Sequence, residues 1–489
     1  MRVIHLCFQL HEPWGLRKFS GGDSEQGYFE GKAEFMQVNT EVYQPLFAFL
    51  ERNTQKFRGF RFSLLVSGPW LELAERYDSG LIERLRKLVK LGQVELVVEP
   101  WYHSLAFFYD KDELTTQVRM YREKIQKLFG VEGRIFALPE LIYNDQVGKW
   151  AEEFGFAGML VGGNQAVLGW HSPNHVYEAM ECRYLRLLFH NTVLAQMITE
   201  ADSELLVEKR VSEDSEEKKL VLSAQKFQKC LELDMLRGSV VNLYFDAAIF
   251  EQQREKGIIG FFDELVASWL KTPGNHFVGA AQACVVETPS MALAVKESVS
   301  WREEPEDVAK KAPEVTGIML QTEVEALPPR WLSSAEQVEQ AKSLYSLKRE
   351  ILAIEDELII EDWRRLTAVD YLEGTDFANI QAVLADLKAR AEKVKKAQAV
   401  EISRAYTKRH DRGNIDVRPA VDNTVVQVNF GVRPVAKPIT VETSKSSVQE
   451  AEVAEAEVEE ATVVPVQTEN APAERPRGIR KVIRRLVIE

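Results

Sequence analysis

The sequence has few cysteines, no long apolar run and no excess of positive charge. Its cysteines, Cys7, Cys182, Cys230 and Cys284, lie far apart without a CxxC pair, which excludes a disulfide framework and the usual zinc-ribbon spacing. No stretch approaches the roughly 18 uninterrupted apolar residues that a membrane-spanning helix needs. The first residues, MRVIHLCFQLHEP, lack the apolar stretch and cleavage site of a signal peptide. We therefore expect a cytoplasmic protein.

The charge and the length narrow the class of protein further. A net charge of −14 and a pI near 5.3 argue against nucleic acid as a partner, because its binding needs positive surface that releases counterions. Neutral or cationic ligands remain open. With 489 residues, 45% hydrophobic and 28% charged, the chain can form one barrel-sized domain and an appendage.

Short apolar runs alternate with longer amphipathic stretches in the first 300 residues. The runs are Val3–Leu10, Phe60–Val66, Val94–Val98, Ile135–Leu138, Gly158–Val161, Leu185–Phe189 and Val240–Phe245. Helical crossovers between apolar strands indicate a parallel sheet covered by helices. The pattern predicts an α/β fold, with an incomplete (β/α)7-type barrel over residues 1–300. An open sheet is the alternative that the pattern leaves open.

The pattern changes after residue 300. Two long, glycine-free segments, Ser334–Trp363 and Asn379–Gln398, carry apolar residues at helical spacing and predict long helices. They must bury their apolar faces against each other or against the barrel. We expect a helical bundle domain at residues 301–400. Within the barrel, the charged stretch 201–219 is interpreted as a surface insertion.

The C-terminal segments have a different composition. Residues 401–443 form a mixed, Pro-punctuated linker region, and 444–474 are rich in Glu, Ala, Val and Pro, which predicts a disordered acidic linker and tail. Residues 475–489 combine an apolar stripe with basic residues and predict a basic amphipathic helix. Such a helix is typical of a membrane-surface or protein partner. A helix that packs back on its own acidic protein is the alternative.

Ionisable and aromatic residues gather where several predicted strands end. They are His11, Glu12 and Trp14 after the first strand, Glu99, Trp101, Tyr102 and His103 after the third, Glu140 after the fourth, and Asp246 at the seventh. The carboxyl ends of barrel strands are where such folds build active sites. A carboxylate after a strand is also often a helix N-cap. Two carboxylates among aromatic residues favour sugar chemistry, because glycosidic cleavage uses such a pair.

Several of these segments match the motifs of one enzyme family. His11-Glu12-Pro13 stands where that family has H-Q-P, and GQVE at 92–95 matches G-x-V-E. VVEPWYHSLAF resembles ETYYHSLA, and PELIYND at 139–145 resembles T-E-L-I-Y-N-N. Asp246 in LYFDAAIFEQQ falls on the aspartate of F-x-D-Y-E-x-F-G-E-H. Ser300-Trp301-Arg302-Glu303 resembles S-W-A-D, and Trp363 to Asp370 resembles W-R-x-L…S-D-H. Over roughly residues 1–375 the chain resembles glycoside hydrolase family 57, in particular its α-amylase-like branch.

The resemblance implies a retaining glycoside hydrolase or 4-α-glucanotransferase that acts on α-1,4-glucans. Glu140 matches the nucleophile and Asp246 the general acid/base, with no cofactor or metal required. The residues expected to bind the glucan are His11, Glu12, Trp14, Glu99, Trp101, Tyr102, His103, Trp301 and Asp370. In this interpretation the histidines bind sugar hydroxyls and Trp14, Trp101 and Trp301 offer stacking faces. Core packing is the alternative for each.

The acid motif departs from the family pattern, and two other functions follow as alternatives. Ala247 and Ala248 replace residues of the Y-E segment, so one alternative is a catalytically impaired homologue that only binds glucan. The other is a metal-dependent sugar deacetylase. Its candidate ligand pair, His171 and His175, encloses Pro173, which argues against one continuous helix that holds both.

Overall fold

A computed structural model describes residues 1–19, 27–163, 165–201, 205–212, 215–302, 329, 332, 334–374 and 376–410. The chain divides into two units, Met1–Glu401 and Ile402–Glu489. The first contains the barrel and the helical region. The predicted acidic linker at 444–474 and the basic helix at 475–489 lie outside the described residues and stay predictions, as does the linker region beyond residue 410.

Seven of the strands form a ring, and the others pair with one another or along its edges. The strands are β1 Arg2–Leu10, β2 Gly15–Leu16, β3 Phe29–Glu30, β4 Phe62–Val66, β5 Val94–Val97, β6 Ile135–Phe136, β7 Gly158–Val161, β8 Val176–Ala179, β9 Arg186–Phe189, β10 Val207–Ser212, β11 Ser215–Leu222, β12 Val240–Asp246, β13 Asn275–Val278 and β14 Ala292–Leu293. Parallel pairing runs β12-β1-β4-β5 and β6-β7-β9. Parallel bridges Val98–Phe136 and His190–Asn242 close the ring. The predicted seven-stranded barrel is confirmed.

Strand β13 was not predicted from the sequence. It pairs in parallel with the first half of β1, from Arg2 to His5. Strand β4 pairs only with the second half of β1, from Cys7 to Leu10. The backbone N–H and C=O groups on this edge of the first half of β1 are therefore not paired with β4, and β13 provides their hydrogen-bond partners.

Helices cover the outside of the ring. They are α1 Lys32–Val38, α2 Gln44–Lys56, α3 Gly68–Tyr77, α4 Ser79–Lys90, α5 Ala106–Tyr109, α6 Lys111–Phe129, α7 Asp145–Glu153, α8 Gln165–Leu168, α9 Thr192–Glu200, α10 Ala224–Asp234, α11 Ile249–Gln252, α12 Ile258–Lys271 and α13 Ala280–Ala283, with a π-helical turn at Asn39–Tyr43 and 3-10 turns at Pro139–Leu141 and Met235–Arg237. The helical crossovers predicted between the apolar runs are present, for example as α4, α6 and α7. The predicted surface insertion contains an antiparallel hairpin of β10 and β11.

Helix α6 illustrates how the sequence defines these elements. Its buried apolar residues are Leu114, Val118, Tyr121, Ile125 and Phe129, which recur at helical spacing and form one face. Asp110 caps the N-terminus by accepting from the Glu113 amide at 2.8 Å. Gly130 ends the helix in a left-handed conformation with φ 72°. The helix therefore has both a buried face and defined ends.

The helical region is more broken than the sequence predicted. Its helices are α14 Ala335–Ser346, α15 Lys348–Leu352, α16 Glu357–Arg365, α17 Val369–Glu373 and α18 Phe377–His410. The expectation of one long helix over Ser334–Trp363 is wrong, because Glu355 has a positive φ of 53° and Asp356 caps a new helix there. The long helix predicted at 379–398 is confirmed within α18. No helix in the described ranges is long and apolar enough to cross a membrane.

The helical region packs directly on the barrel at the end that carries the candidate site. Arg364 pairs with the buried Glu113 at 2.9 Å. The amide of Val369 donates to the carbonyl oxygen of His103 at 3.0 Å. Helix α17 therefore begins against the loop that follows β5. This contact brings the carboxylates of α17 to the carboxyl ends of the barrel strands.

Candidate active site

The predicted residues from four strand ends do come together, and helix α17 adds a fifth contributor. His11 follows β1, His103 follows β5, Glu140 follows β6 and Asp246 ends β12. The rings of His11 and His103 stack with centroids 4.0 Å apart. The charges of His103 and Asp246 act on the pKa of Glu140, which indicates that these groups share one cleft.

Glu140 lies on the 3-10 turn Pro139–Leu141 and has an unusual backbone. Its φ is 57°, a left-handed value that costs energy for a residue with a Cβ and that often marks functional sites. The side chain is buried, and Nε of Arg302 lies 2.7 Å from its Oε2. Burial raises the pKa of the Glu140 carboxyl, while the charges of Arg302 and His103 oppose that rise. Arg302 therefore favours the ionised form.

Asp246 has a different environment at the end of β12. Its side chain is open to the cleft, and its Oδ1 accepts a hydrogen bond from the Ala248 amide at 2.7 Å. The surrounding walls of the cleft still desolvate the carboxyl, and this raises its pKa despite that hydrogen bond and the charge of His11. Asp246 is thus an accessible carboxyl group that holds its proton to a higher pH than a solvated aspartate does.

The stacked histidines are each bound to a carboxylate. Nε2 of His11 lies 2.9 Å from Oδ2 of Asp370 on α17, and its Nδ1 lies 2.8 Å from Oγ of Ser67. Burial acts to lower the pKa of His11, but the charge and hydrogen bond of Asp370, together with the charges of Glu99 and Asp246, outweigh burial and raise that pKa. The same pairing outweighs burial at Asp370 and holds its pKa below the usual value. The pair is therefore ionic.

His103 is fixed by the buried Glu99. Its Nδ1 lies 2.6 Å from Oε2 of Glu99, and its backbone φ is 53°. Nε2 of His103 lies 3.4 Å from Nε2 of Gln9. Within the described part of the chain, Oε1 of Glu99 has no hydrogen-bond partner. Glu99 is fully buried and thus orients His103 from behind.

Glu12 lies at the edge of this cluster. Tyr43 donates its hydroxyl to the carbonyl oxygen of His11 at 3.1 Å and lies 3.5 Å from Oε2 of Glu12. Desolvation raises the pKa of Glu12 to about 7 despite the charge of His11. Glu12 therefore titrates near neutral pH.

The predicted aromatic residues occupy two kinds of position. Trp14 and Trp101 are only 4% and 5% exposed, and both indole nitrogens donate to Glu72, at 2.8 and 3.0 Å. Tyr102 is buried in the same core. These contacts favour a structural role for the three. Trp301 is half-buried as a residue, and its Nε1, which is itself buried, has no hydrogen-bond partner among the described residues.

Three residues of the site were missed in the sequence. Arg302 was noted only as part of the segment like S-W-A-D, and Glu373 carried no motif. Tyr244 is buried, and its hydroxyl lacks a partner among the residues that the structure describes. The two-residue period of a strand could have identified Tyr244. Tyr244 lies two residues before Asp246 on β12, and residues two apart on a strand point to the same face. No local sequence pattern indicates that Arg302 pairs with Glu373.

The histidines of the deacetylase alternative lie in a loop and are separated. His175 Nδ1 lies 3.0 Å from Oε1 of Glu287, while the ring of His171 packs at a tilt against Trp170 with centroids 3.9 Å apart. No group of three or more His, Cys, Asp or Glu residues that could hold a metal ion occurs in the described ranges. The arrangement offers nothing that favours this alternative.

Comparison with known proteins links the sequence to one family. The sequence model of glycosyl hydrolase family 57 matches residues 5–283. A Methanocaldococcus jannaschii protein provisionally named an α-amylase is 26% identical over 318 residues, which cover 63% of this chain and 65% of that protein. A 4-α-glucanotransferase from Thermococcus litoralis is 27% identical over 161 residues, which cover 33% of this chain and 22% of that enzyme. The chain thus matches less than two thirds of the length of either relative.

A solved structure gives an independent comparison of the fold. The crystal structure of the Thermococcus litoralis 4-α-glucanotransferase superposes with a TM-score of 0.57 at 13% identity. The superposition covers 80% of this chain and 59% of that enzyme. At this identity the similarity is one of fold, in agreement with the strand ring.

Proposed function

The chain belongs to glycosyl hydrolase family 57, and from this premise we propose that it is a retaining enzyme that cleaves α-1,4-glucans. The acceptor is either water, which makes it an α-amylase-like hydrolase, or a second sugar, which makes it a 4-α-glucanotransferase. The observation that carries the proposal is a pair of carboxyl groups, Glu140 and Asp246, that share a cleft but have different environments. Retaining glycosidases need such a pair.

Glu140 is suited to the role of nucleophile. It must be ionised to attack, and Arg302 at 2.7 Å favours the charged form in an otherwise desolvating site. Its turn after β6, with φ 57°, holds the carboxylate at the carboxyl end of the strand ring. A rigid position of this kind reduces the loss of entropy on reaching the reactive geometry.

Asp246 is suited to the role of general acid and base. Its raised pKa keeps a fraction of the carboxyl protonated at a pH at which a solvated aspartate would be ionised. Its side chain is open to the cleft, so the proton can reach a glycosidic oxygen. The charge of Asp246 also raises the pKa of Glu140, so a protonated Asp246 favours the ionised form of Glu140.

In the reaction, a lone pair of the Glu140 carboxylate forms a bond to the anomeric carbon. The glycosidic bond breaks, its electrons pass to the leaving oxygen, and that oxygen takes the proton of Asp246. Asp246 then removes a proton from water or from a sugar hydroxyl, which attacks the ester and releases Glu140. Among the other site residues, we assign sugar-hydroxyl binding to His103, whose Nε2 is 3.4 Å from Gln9. Both ring nitrogens of His11 already bind Asp370 and Ser67, so His11 helps to position the site.

A glucan-binding protein without turnover is a second candidate, for one specific reason. Arg302 lies directly on the carboxylate that would attack, and the residues after Asp246 are the alanines Ala247 and Ala248. If Arg302 held Glu140 away from the anomeric carbon, the cleft would bind glucan and release no product.

Incubation with maltoheptaose tests the proposal. Shorter products alone indicate hydrolysis, whereas shorter and longer products together indicate transfer. NMR of the first products must show the α-anomer, because two successive inversions restore the original configuration. A β-anomer would overturn the retaining mechanism. Binding of maltoheptaose without any product would favour the second candidate.

A further inference from the structure

One arginine binds two carboxylates that come from different parts of the fold. Nε of Arg302 lies 2.7 Å from Oε2 of Glu140. Nη1 of the same guanidinium lies 3.0 and 2.9 Å from Oε1 and Oε2 of Glu373, the last residue of α17. The three side chains form a chain of ion pairs between the candidate nucleophile on the barrel and the helical region.

This arrangement is specific to the sequence of the chain. Arg302 stands at the alanine position of the segment that resembles S-W-A-D. An alanine there has no charge to place beside Glu140. Arg302 is partly exposed at 40% of its side chain, while Glu140 is 8% exposed, so the pair lies at the inner wall of the cleft.

Glu140 has charged or titratable neighbours on each element that faces it. They are Arg302 after Trp301, His103 after β5, Glu373 on α17, and Tyr244 and Asp246 on β12. Arg302 and His103 favour the carboxylate, whereas Glu373 and Asp246 oppose it. Of the two groups that favour the carboxylate, Arg302 is the one in an ion pair with Glu140.

The charge on Glu140 disappears during the proposed reaction. When its oxygen bonds to the anomeric carbon, the carboxylate becomes a neutral ester and the leaving oxygen takes the proton of Asp246. Arg302 then has no anionic partner at Glu140. Glu373 remains in contact with its Nη1, so the guanidinium stays paired while the ester exists. An unpaired cation in a partly buried site would destabilise that intermediate.

We propose that Arg302 and Glu373 act as opposing positioning residues for Glu140, where Arg302 holds the carboxylate ionised and Glu373 keeps Arg302 paired when Glu140 becomes an ester. The second half rests on the proposed function of Glu140 as the nucleophile. The first half concerns the resting protein and stands without any reaction. Helix α17 is therefore part of the site, since it supplies the counter-charge.

The two partners have opposite effects on Glu140, which makes the proposal testable. Without Arg302, burial and the remaining carboxylates act alone, so Glu140 should lose its proton only at higher pH. Without the charge of Glu373, Arg302 is drawn to Glu140 alone, so Glu140 should lose its proton at lower pH. A purely structural role of the bridge would not produce shifts of opposite sign.

The experiment compares wild type with Arg302→Met, Arg302→Lys and Glu373→Gln. Protonation of Glu140 is followed across pH by infrared difference spectra between each protein and the same protein carrying Glu140→Gln. The pH dependence of kcat/KM on maltoheptaose is measured in parallel, because its acidic limb reports the essential base of the free enzyme. Circular dichroism and the melting temperature establish that each variant folds. Arg52→Met is the matched control, because Arg52 also pairs with a carboxylate, Asp263, at 2.6 Å and is 47% exposed, but on outer helices.

We expect Arg302→Met to move the titration of Glu140 and the acidic limb to higher pH, and Glu373→Gln to move both to lower pH and to reduce kcat. Arg302→Lys keeps the positive charge but not the two separate nitrogens, so its titration should lie between those of wild type and Arg302→Met. Arg52→Met should change neither the titration nor the limb. If both variants shift the titration in the same direction, or neither shifts it, the proposal is overturned. A third outcome is that the Glu140 titration shifts in opposite directions in the two variants while the acidic limb of kcat/KM stays in place. In that case Arg302 and Glu373 do control the ionisation of Glu140, but Glu140 is not the nucleophile.

Discussion

The imidazole rings of His11 and His103 stack with centroids 4.0 Å apart and an interplanar angle of 28°. Each ring is bound from outside the stack by a carboxylate, His11 by Asp370 and His103 by Glu99. Asp370 belongs to the helical region and Glu99 to the barrel. The pair of rings therefore joins the two regions at the centre of the candidate site, and its stability depends on charge.

The first prediction concerns the pH dependence of the His11–Asp370 pair. The folded-state pKa of His11 lies above its unfolded value of about 6.5, so its stabilisation is complete below that pH and is lost as pH rises through the folded pKa. Asp370 has a depressed pKa, so its contribution is present above about pH 4 and lost in acid. We expect Asp370→Asn to lower the melting temperature most near pH 6 and progressively less in alkali.

A carboxylate of the same region provides the control for this prediction. Asp362 pairs with Arg390 at 3.2 Å, and arginine does not titrate in the range of the measurement. Asp362→Asn should therefore lower the melting temperature by an amount that does not change between pH 6 and alkali. A pH-independent loss in Asp370→Asn as well would show that His11 is not the charged partner.

The second prediction is that Glu140→Gln abolishes glycosidic activity and preserves the fold. The amide has nearly the volume of the carboxylate but cannot form the glycosyl ester, so we expect kcat to fall by on the order of 10⁴-fold or more. Initial rates on maltoheptaose measure the loss. Glu51→Gln is the control, because Glu51 pairs with Arg84 on outer helices at 2.8 Å. Turnover like that of wild type in Glu140→Gln would refute the assignment.

The third prediction separates the acid role of Asp246 from a structural role. Asp246→Asn removes the proton donor, which a natural glucan needs and an activated aryl leaving group does not. We expect a loss on the order of 10² to 10⁴ in kcat/KM with maltoheptaose. The loss with an aryl α-glucoside should be smaller and should lie in the later release of the ester. Equal losses on both substrates would argue that Asp246 is not the acid.

The sequence predicted the barrel well because its signals are local. A run of apolar residues such as Val3–Leu10 favours a buried strand whichever strand it pairs with. A long helical crossover to the next strand indicates that the two strands are parallel. His11, His103, Glu140 and Asp246 could be found because each lies at the carboxyl end of a strand, and these ends converge in a barrel. Long-range pairing was not needed to place them.

The helical region was harder to predict because its details depend on distant partners. The break at Glu355 occurs in a stretch without glycine or proline, where a positive φ of 53° ends one helix and Asp356 begins another. The pairing of Arg302 with Glu373 joins residues from separate segments, and no periodic pattern connects them. The burial of Trp14 and Trp101 was equally invisible, since an aromatic residue after a strand fits a core or a cleft.

The last prediction concerns the carboxylate that binds those two tryptophans. Glu72 on α3 accepts from the indole nitrogens of Trp14 and Trp101 and pairs with Arg365 at 3.1 Å. Glu72→Ala leaves two largely buried N–H donors and one cation without this acceptor, so we expect the free energy of unfolding to fall by about 2–4 kcal/mol. Urea unfolding measures the change. Glu75→Ala, on the same helix, removes the surface ion pair with Lys124 and should cost less than about 1 kcal/mol. Similar small losses in both variants would mean that the tryptophans do not depend on Glu72, and their role in stacking on sugar would regain support.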